Sequence, residues 1–287
     1  MRSAACLISL VTFLAGCGGE YIMSVPDQVG PAGGDTVAVA RVQRSEVWLL
    51  KQDVEEAALR FQVADMTERG AYTDKLGYAG TTVPLPEKPG RYEMSVSYLD
   101  RYGDEAVQSV PAFAWPAEAK VAAVELDVLN FGKGTDRDSA ALQKIAQNYR
   151  IIYMTEEPVS EHRKIHKKLA DAGYPQGPVL PWKQKKWHLV FRGRFRVPRI
   201  LIEDRLVSQL DTLKDVFPNL SAGIAESSSA AATFQQAGLA VAIVGGASAP
   251  SKARVQRAAD LQELADEGLD AGGENVTPAE ETVESSE

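Results

Sequence analysis

Two acidic side chains end a short apolar run near the middle of the chain. The stretch 121–134 is VAAVELDVLNFGKG, so Glu125 and Asp127 alternate at the end of a predicted strand and precede a loop containing asparagine and glycines. A carboxylate at such a position is costly to bury unless it is paired or hydrogen-bonded. The pair therefore predicts either acid chemistry supported by a cation or the remains of such a site.

The elements predicted after residue 120 place other polar side chains beside this pair. Strands at VAAVEL, YRIIYMT, PVLPW, SAGIAE and LAVAIVGG alternate with helices at SAALQKIAQN, SEHRKIHKKLADAG, LVSQLDTLKDVF and SAAATFQQAG. This alternation predicts a parallel sheet, and Ser160 and Gly173 are the predicted N-cap and C-cap of the second helix. Ligands bind such sheets at the carboxyl ends of the strands. Because carboxylates suit Mg²⁺ and a helix N-terminus suits phosphate, the predicted ligands of Mg²⁺ are Glu125, Asp127 and Glu226, and those of phosphate are Thr155, Ser227 and Ser229.

Four stretches between residues 121 and 246 carry a family resemblance. They are VAAVELDVL, YMTEEPVSEHRKIHKKLADAGYPQGPVL, LDTLKDVFPN and GIAESSSAAATFQQAG. They resemble, in this order, the motifs of the haloacid-dehalogenase (HAD) superfamily, and most of all its lipin and phosphatidate-phosphatase-like branch. The resemblance implies an α/β domain with a Rossmann-like parallel sheet. It also implies Mg²⁺-dependent phosphoryl transfer through a covalent aspartyl intermediate.

Carried over residue by residue, the resemblance makes Glu125 the nucleophile, Asp127 the acid/base and Thr155 a ligand of the phosphoryl group. The position of the family's lysine falls at Arg205 or Leu206. The chain departs from the family pattern at several positions, with Glu125 and Glu226 for aspartates, Val128 and Leu129 for glycine and threonine, Glu157 for arginine and Ala230 for a second acid. The extra methylene moves the carboxylate at position 125 by ~1.5 Å, and a ~1 Å misplacement can cost ~100-fold in rate. The departures together predict a degenerate, non-catalytic domain, and an active Mg²⁺-dependent phosphohydrolase with a reshaped acid pair is the alternative.

The first twenty residues, MRSAACLISLVTFLAGCGGE, have the layout of a secretory signal. The junction Leu14-Ala15-Gly16-Cys17 resembles the bacterial lipobox, which implies a signal peptide over residues 1–16 and lipidation of Cys17. Several acyl chains on one residue anchor a protein stably to a membrane. We expect a cell-envelope location, with Gly18 indicating the outer membrane and the protein facing the periplasm or the surface; an ordinary signal peptide is the alternative. Since Cys6 leaves with the signal, the mature chain has no disulfide and no cysteine nucleophile.

Residues 17–117 predict an all-β domain. DTVAVARV, VWLLKQ, ALRFQVAD, GYAGTTVPL and GRYEMSVSYL are predicted strands, separated by turn clusters such as GPAGGD and PEKPG. This pattern indicates an antiparallel β-sandwich. The stretch YTDKLGYAGTTVPLPEKPGRYEMSVSY resembles the Ig-like repeats of invasin-type surface proteins. The resemblance implies a spacer or a binding module.

The remaining predictions concern residues 118–250, the α/β domain, and residues 251–287, a helix followed by an acidic disordered tail. The net charge of −8 resides in that tail, because residues 258–287 hold ten acids and no lysine or arginine.

The segment Lys183–Arg199, within PWKQKKWHLVFRGRFRVPRI, predicts either a basic, aromatic surface for an anionic envelope ligand or a solvated hairpin, and its location argues against nucleic acid. His162 and His166, four residues apart, predict a solvated basic helix face rather than a metal site.

Three functions stay open from the sequence. The first is a lipid-anchored envelope protein whose HAD-like, phosphatase-type domain is catalytically degenerate and used for binding. The second is an active phosphatidate-phosphatase-like hydrolase of phosphoric monoesters. The third is a structural or adhesive lipoprotein that acts through its Ig-like domain. The sequence gives no ligand, partner or oligomeric state for any of them.

Overall fold

The computed structural model describes residues 20–47, 50–99, 105–181, 205–245 and 255–269, and side chains at 46–50, 99 and 205–209 are not described. The predicted signal peptide, Cys17, the segment Lys183–Arg199 and the acidic tail lie outside the described residues. Two compact units are present. One holds the chain up to Ala117 with two short segments, 158–162 and 178–180, and the other holds the rest.

The first unit consists of two sheets that share one core. Four strands form one sheet, in which β3 pairs antiparallel with three others, and five strands form the second, in the order β2-β9-β8-β5-β6. Buried apolar side chains from both sheets form a single cluster, which is the arrangement of a β-sandwich. The strands are β1 (Glu20–Ser24), β2 (Gln28–Pro31), β3 (Asp35–Val47), β4 (Leu50–Asp53), β5 (Ala58–Val63), β6 (Arg69–Tyr72), β7 (Tyr78–Pro84), β8 (Gly90–Leu99) and β9 (Glu105–Trp115).

Alternation along the long strand β3 decides which side chains reach this core. Ala38, Ala40 and Val42 are fully buried in the shared cluster. Because successive strand residues face opposite sides, the residue two positions further along, Arg44, lies on the same inner face. The sandwich core therefore ends, at this end of β3, in a charged side chain.

The predicted strands of this unit agree with β3, β5, β7 and β8, whereas one prediction differs. VWLLKQ was expected to form one strand, but Val47 closes β3 and Leu50 opens β4, and these two residues lie opposite each other in antiparallel register. The pattern of apolar and polar residues in VWLLKQ gives no sign that the chain reverses direction within it. The strands β1, β2, β6 and β9 were not predicted, since their short or mixed stretches lack a clear period of two.

A six-stranded sheet has the order β12-β11-β10-β13-β14-β15, and all of its strands except β12 belong to the second unit. Its strands are β10 (Val121–Glu125), β11 (Arg150–Thr155), β12 (Val179–Pro181), β13 (Leu220–Ala225), β14 (Ala240–Val244) and β15 (Val255–Ala258). The pairings of β10 with β11 and β13, and of β14 with β13 and β15, are parallel, as predicted. The strand order reverses direction between β10 and β13. In an open α/β sheet this switch point is where a crevice forms.

Five helices connect or follow these strands, namely α1 (Thr135–Ala146), α2 (His162–Asp171), α3 (Arg205–Val216), α4 (Ser228–Gln236) and α5 (Leu261–Glu267). The predicted C-cap Gly173 has φ +72°, and the N–H groups of Gly173 and Tyr174 donate to the carbonyls of Ala170 and Leu169, which is the Schellman arrangement. Ser160 is not directly before α2. It lies in a 3₁₀ turn, Val159–Glu161, that tightens the chain after Pro158.

The sheet extends beyond residue 250, where the sequence predicted the α/β domain to end. β15 pairs in parallel with β14, so that Val244 lies opposite Ala258, and α5 follows directly. The polar stretch VQRA gives no strand signal in the sequence. In the structure only one of its four residues, Ala258, is buried. In the part of the chain that the structure describes, no helix is long and apolar enough to cross a membrane.

Candidate functional site

Glu125 lies at the switch point, at the carboxyl end of the fully buried strand β10. Its side chain is 2% exposed. One carboxylate oxygen, Oε2, accepts hydrogen bonds from the backbone N–H groups of Glu226 and Ser227, at 2.7 and 2.8 Å. The other, Oε1, accepts from the Ser227 hydroxyl at 2.5 Å. Both oxygens of this buried carboxylate are therefore held by donors of the chain itself.

The donors come from the short loop between β13 and the first turn of α4. Ser227 is the N-cap of α4, and its Oγ accepts from the backbone N–H of Ala230 at 3.1 Å while donating to Glu125. The N–H groups at a helix N-terminus have no partner within the helix, and the helix dipole favours negative charge there. The Glu125 carboxylate supplies that charge. It occupies the kind of position in which a helix N-terminus binds an anionic ligand.

Close packing of α4 on β13 fixes these donors in place. Gly223 of β13 lies under the side chain of Phe234, and a Cβ at position 223 would meet two ring atoms at 2.5 and 2.7 Å and the Phe234 Cβ at 2.9 Å. Only a residue without a side chain permits this approach. Phe234 and Ala230 are fully buried beneath the helix. The distance between the two elements is therefore set by packing, and it brings the loop within reach of Glu125.

The other two predicted acids, Asp127 and Glu226, lie at the same edge of the sheet. Asp127 is exposed in the 3₁₀ turn Leu126–Val128 that follows β10, and the Glu226 side chain is exposed next to the donor loop. The pKa of Glu226 is raised, first by partial loss of contact with water and then by the negative charges of Glu125 and Asp127. Three carboxylates therefore lie at this edge, and their proximity raises the pKa of Glu226.

The remaining predicted site residues make fewer contacts at this edge. Thr155 is 2% exposed at the end of β11, and its hydroxyl accepts from the N–H of Glu157 at 3.0 Å, in a local turn. The hydroxyl of Ser229 lies 3.3 Å from that of Ser227. Arg205 begins α3, and its side chain is outside the described part of the structure.

Apolar side chains fill positions where the family resemblance implies polar groups. Val128 and Leu129, which stand for the family's glycine and threonine, are both buried. Ala230, which stands for a second metal-binding acid, is fully buried in the packing of α4. These three residues contribute to the core of the unit and offer no oxygen to a ligand.

The geometry does not fit a Mg²⁺ ion coordinated by Glu125. Magnesium requires carboxylate oxygens that face a common space with room for water ligands. Both oxygens of Glu125 instead face N–H and O–H donors, whose positive ends would repel a cation. Among the described residues, no three acidic, histidine or cysteine side chains are grouped so as to hold a metal. Of the magnesium set predicted from the sequence, Glu125 is therefore not available to a cation in this geometry, whereas Asp127 and Glu226 are exposed at the same edge.

A second set of contacts at this edge was not predicted. The loop after β10 is held by Asn130, whose side-chain oxygen accepts from the N–H of Gly132 and whose backbone carbonyl accepts from the hydroxyl of Tyr174 at 2.9 Å. Burial raises the pKa of Tyr174 to about 12, with the charge of Asp138 adding to the shift, so the hydroxyl stays a donor at neutral pH. The ring of Phe131 packs edge-on against Tyr174, 5.7 Å between centroids. The only sequence signal for this was the N-F-G-K-G loop itself.

The histidine pair is arranged differently from the sequence expectation. His162 is 4% exposed, on the buried stripe of α2 together with Ile165 and Leu169. The expected solvated face therefore applies to the lysines and Arg163 but not to His162, whose spacing from Ile165 is that of a buried helix position. Because no group of three possible ligands is present in the described ranges, the pair is not assigned to a metal.

Comparison with known proteins gives only distant likenesses. No protein-family model and no curated protein matches the sequence. Among solved structures, D,D-heptose 1.7-bisphosphate phosphatase from B. bronchiseptica, complexed with magnesium and phosphate, is 13% identical, with 52% of this chain and 97% of that chain covered and a TM-score of 0.35. XAC1771, a carbohydrate acetylesterase from Xanthomonas citri, is 13% identical over 56% of this chain and 40% of that chain, with a TM-score of 0.28. Likenesses of this size establish neither a family nor an activity for this chain.

Proposed function

We propose that this protein is a lipid-anchored component of the bacterial cell envelope whose α/β unit is non-catalytic and serves as a binding module. The observation that carries the proposal is that both oxygens of the Glu125 carboxylate accept hydrogen bonds, three in all, from donors of the β13–α4 loop. A carboxylate in this state contributes to stability, since hydrogen bonds to a charged group are among the strongest in proteins. Its role is structural.

Nucleophilic attack from Glu125 would require a free oxygen facing the substrate. Each donor occupies a lone pair that would otherwise be available for attack, and the residue is 2% exposed. Attack would also break the N-cap network of α4, because Ser227 bonds both Glu125 and Ala230. These contacts support a unit that keeps the strand-end layout of a phosphoryl-transfer site without its chemistry.

The charge of this edge favours a basic protein surface as the partner over a ligand that carries phosphate. Glu125, Asp127 and Glu226 are close enough for two of them to raise the pKa of the third. A dianionic phosphate approaching this edge would be repelled. We therefore favour a protein surface carrying lysine or arginine as the partner of the α/β unit.

The alternative is a Mg²⁺-dependent phosphohydrolase, supported by the same three neighbouring acids. The test is phosphatase activity of the full chain with Mg²⁺, offered an aryl phosphate and phosphatidate. We expect no turnover above that of the Asp127→Asn variant. Turnover that disappears in Asp127→Asn would overturn the non-catalytic proposal and favour the alternative. Activity that arises only in Glu125→Asp/Glu226→Asp would show that the loss of the two aspartates accounts for inactivity.

The lipid anchor is supported by the Leu14-Ala15-Gly16-Cys17 junction and by the apolar run before it. Its test is incorporation of a labelled fatty acid when the chain is expressed in bacteria. We expect label in the wild type and in Cys6→Ser, whose cysteine lies within the predicted signal, and none in Cys17→Ser. Equal labelling of wild type and Cys17→Ser would contradict the anchor, as would absence of label from all three.

A further inference from the structure

An acidic segment leaves the α/β unit at a defined point on its surface. Helix α5 packs against α1, and the ion pair Lys144–Asp266, at 2.9 Å, joins the two helices. The carbonyl of Leu269, which ends the described part of the chain, accepts a hydrogen bond from the Tyr149 hydroxyl at 3.3 Å. The residues that follow, segment 270–287, hold six acids and no lysine or arginine. The position of Leu269 therefore fixes where this negative charge begins.

A cavity of about 490 Å³ lies at this point, since Tyr149 is one of the residues that line it. Arg150, the next residue, is exposed and is the one charged residue of the lining. The wall also includes Ala170 of α2. The cavity therefore connects the beginning of segment 270–287 with the surface of α2.

The exposed face of α2 is basic and is continuous with the cavity wall. Arg163, Lys167 and Ala170 are spaced by four and three residues, so they form one row along the helix. All three are exposed, whereas Ile165, on the opposite side of the helix, is buried. Lys168 is exposed beside the row. Positive charge thus extends from the cavity along the outside of α2.

Four bases on this surface have no acidic partner among the described residues. Arg150, Arg163, Lys167 and Lys168 make no salt bridge with any residue that the structure describes. Like charges four residues apart on a helix, such as Arg163 and Lys167, repel each other. Asp171, the one acid of α2, is exposed at the end of the helix and offsets only part of this charge. These four side chains, here called the basic surface, therefore favour a negatively charged partner.

We propose that segment 270–287 binds across the cavity onto the basic surface of its own chain. Its acids supply the opposite charge, and the first of them, Asp270, directly follows Leu269. The segment has 18 residues, which span up to ~60 Å when extended, whereas the ten residues of α2 extend over about 15 Å. A segment attached this close has an effective concentration on the order of millimolar at the surface. Attachment therefore favours it over free anionic molecules.

This contact is separate from the site at Glu125. Arg150 opens β11 and Thr155 closes it, so the cavity lies at the amino end of the strand. Glu125 lies at the carboxyl end of the neighbouring parallel strand β10. The proposal therefore does not depend on whether the acidic edge at Glu125 binds a partner.

The first experiment compares backbone amide NMR shifts of the full chain with those of an amide variant. This variant carries Asp270→Asn, Glu274→Gln, Glu280→Gln, Glu281→Gln, Glu284→Gln and Glu287→Gln. We expect shift differences at residues 149–150 and 163–170. They should disappear in about 1 M NaCl, where the Debye length is only ~3 Å.

The second experiment measures how a fluorescein-labelled peptide of residues 270–287 binds to the full chain, by fluorescence anisotropy. We expect about tenfold tighter binding to the amide variant than to the wild type, because the attached segment no longer competes. In the amide variant, Arg163→Gln/Lys167→Gln/Lys168→Gln should weaken this binding about tenfold or more. Lys75→Gln/Lys88→Gln/Arg91→Gln, which removes three exposed bases of the sandwich unit, is the matched control and should leave it unchanged. Circular dichroism establishes that both triple variants are folded.

Other outcomes contradict the proposal in distinct ways. Absence of shift differences at the basic surface would show that the segment does not bind there. Differences that disappear on dilution of the wild type would assign the contact to a second copy of the chain. Phosphatidylglycerol vesicles bound equally well by the wild type and the amide variant would show that the segment leaves the basic surface open to anionic lipid.

Discussion

Two charged side chains, one in each unit, differ in how their buried polar atoms are hydrogen-bonded. Glu125 in the parallel sheet has both carboxylate oxygens occupied by three donors of its own chain. Arg44 in the sandwich has a buried Nε with no acceptor among the described residues and only an aromatic ring beside it. The first lies where family resemblance predicts chemistry, and the second lies where nothing in the sequence drew attention.

The difference teaches that site-like residue types do not by themselves make a binding site. A buried charge whose hydrogen-bonding capacity is filled by the protein stabilises the fold and offers little to a ligand. A charged side chain with a buried donor that lacks an acceptor lowers stability instead. The comparison therefore predicts effects of opposite sign on the free energy of unfolding. Removing the Glu125 charge should lower it, and removing the Arg44 charge should not.

Removal of the Glu125 carboxylate should give the largest effect. In Glu125→Ala the N–H groups of Glu226 and Ser227 lose their acceptor, so we expect the free energy of unfolding to fall by about 3–5 kcal/mol, the range for breaking a buried charged contact. Urea unfolding followed by circular dichroism at pH 7 measures it. Glu118→Ala, which removes an exposed carboxylate from the same unit, should stay within ~0.5 kcal/mol of the wild type. A similar value for both variants would refute the structural role of Glu125.

A substitution that displaces the hydrogen-bond donors of the β13–α4 loop and leaves Glu125 unchanged should give the next largest loss of stability. Gly223→Ala places a Cβ 2.5 Å from the Phe234 ring and pushes α4 away from β13. We expect a loss of about 1–3 kcal/mol, as for other overpacked cores. Gly80→Ala on β7, where the nearest atom is 3.6 Å away, is the matched control and should change urea stability little. Equal losses at both positions would show that the close approach at Gly223 is not what matters.

Replacement of Arg44 by an apolar side chain of similar length should have the opposite sign from Glu125→Ala. Arg44→Met removes a buried donor without an acceptor and also loses the cation–π contact with Tyr21. We expect the free energy of unfolding to stay unchanged or to rise by up to ~1 kcal/mol. Arg41→Met, which breaks the ion pair with Asp53, should instead lower it slightly. A large loss in Arg44→Met would remove the contrast between the two charges.

The pH dependence of the free energy of unfolding that arises from Glu226 should be the smallest effect. Since its pKa is raised in the folded protein, the folded state binds more protons than the unfolded state between the unfolded and folded pKa values, and stability falls as pH rises through that window. Glu226→Gln removes this term, so its stability should exceed that of the wild type slightly at pH 7 and converge with it below pH ~4.5. Urea unfolding at a series of pH values measures the difference. A gap that widens on acidification would contradict the assigned direction.

Much of the parallel-sheet unit could be predicted from sequence because its strands are short apolar runs between amphipathic helices. Glu125, Asp127 and Glu226 lie at one edge because the carboxyl ends of parallel strands meet there, and their role as metal ligands stays a prediction. The outcome at Glu125 could not be predicted, because it depends on backbone N–H groups of a loop a hundred residues away. Arg44 was missed although its alternation with Val42 puts it on the inner face, since sequence does not reveal where a core ends.

The Ser227 hydroxyl, which donates to Glu125 and accepts from Ala230, has a consequence for how this region can evolve. An aspartate at position 125 would fall short of that hydroxyl by about one C–C bond, ~1.5 Å. A Glu125→Asp change would thus weaken the capping network around Ser227. The resulting protein would be less stable, and selection for foldedness alone is enough to keep Glu125 in place.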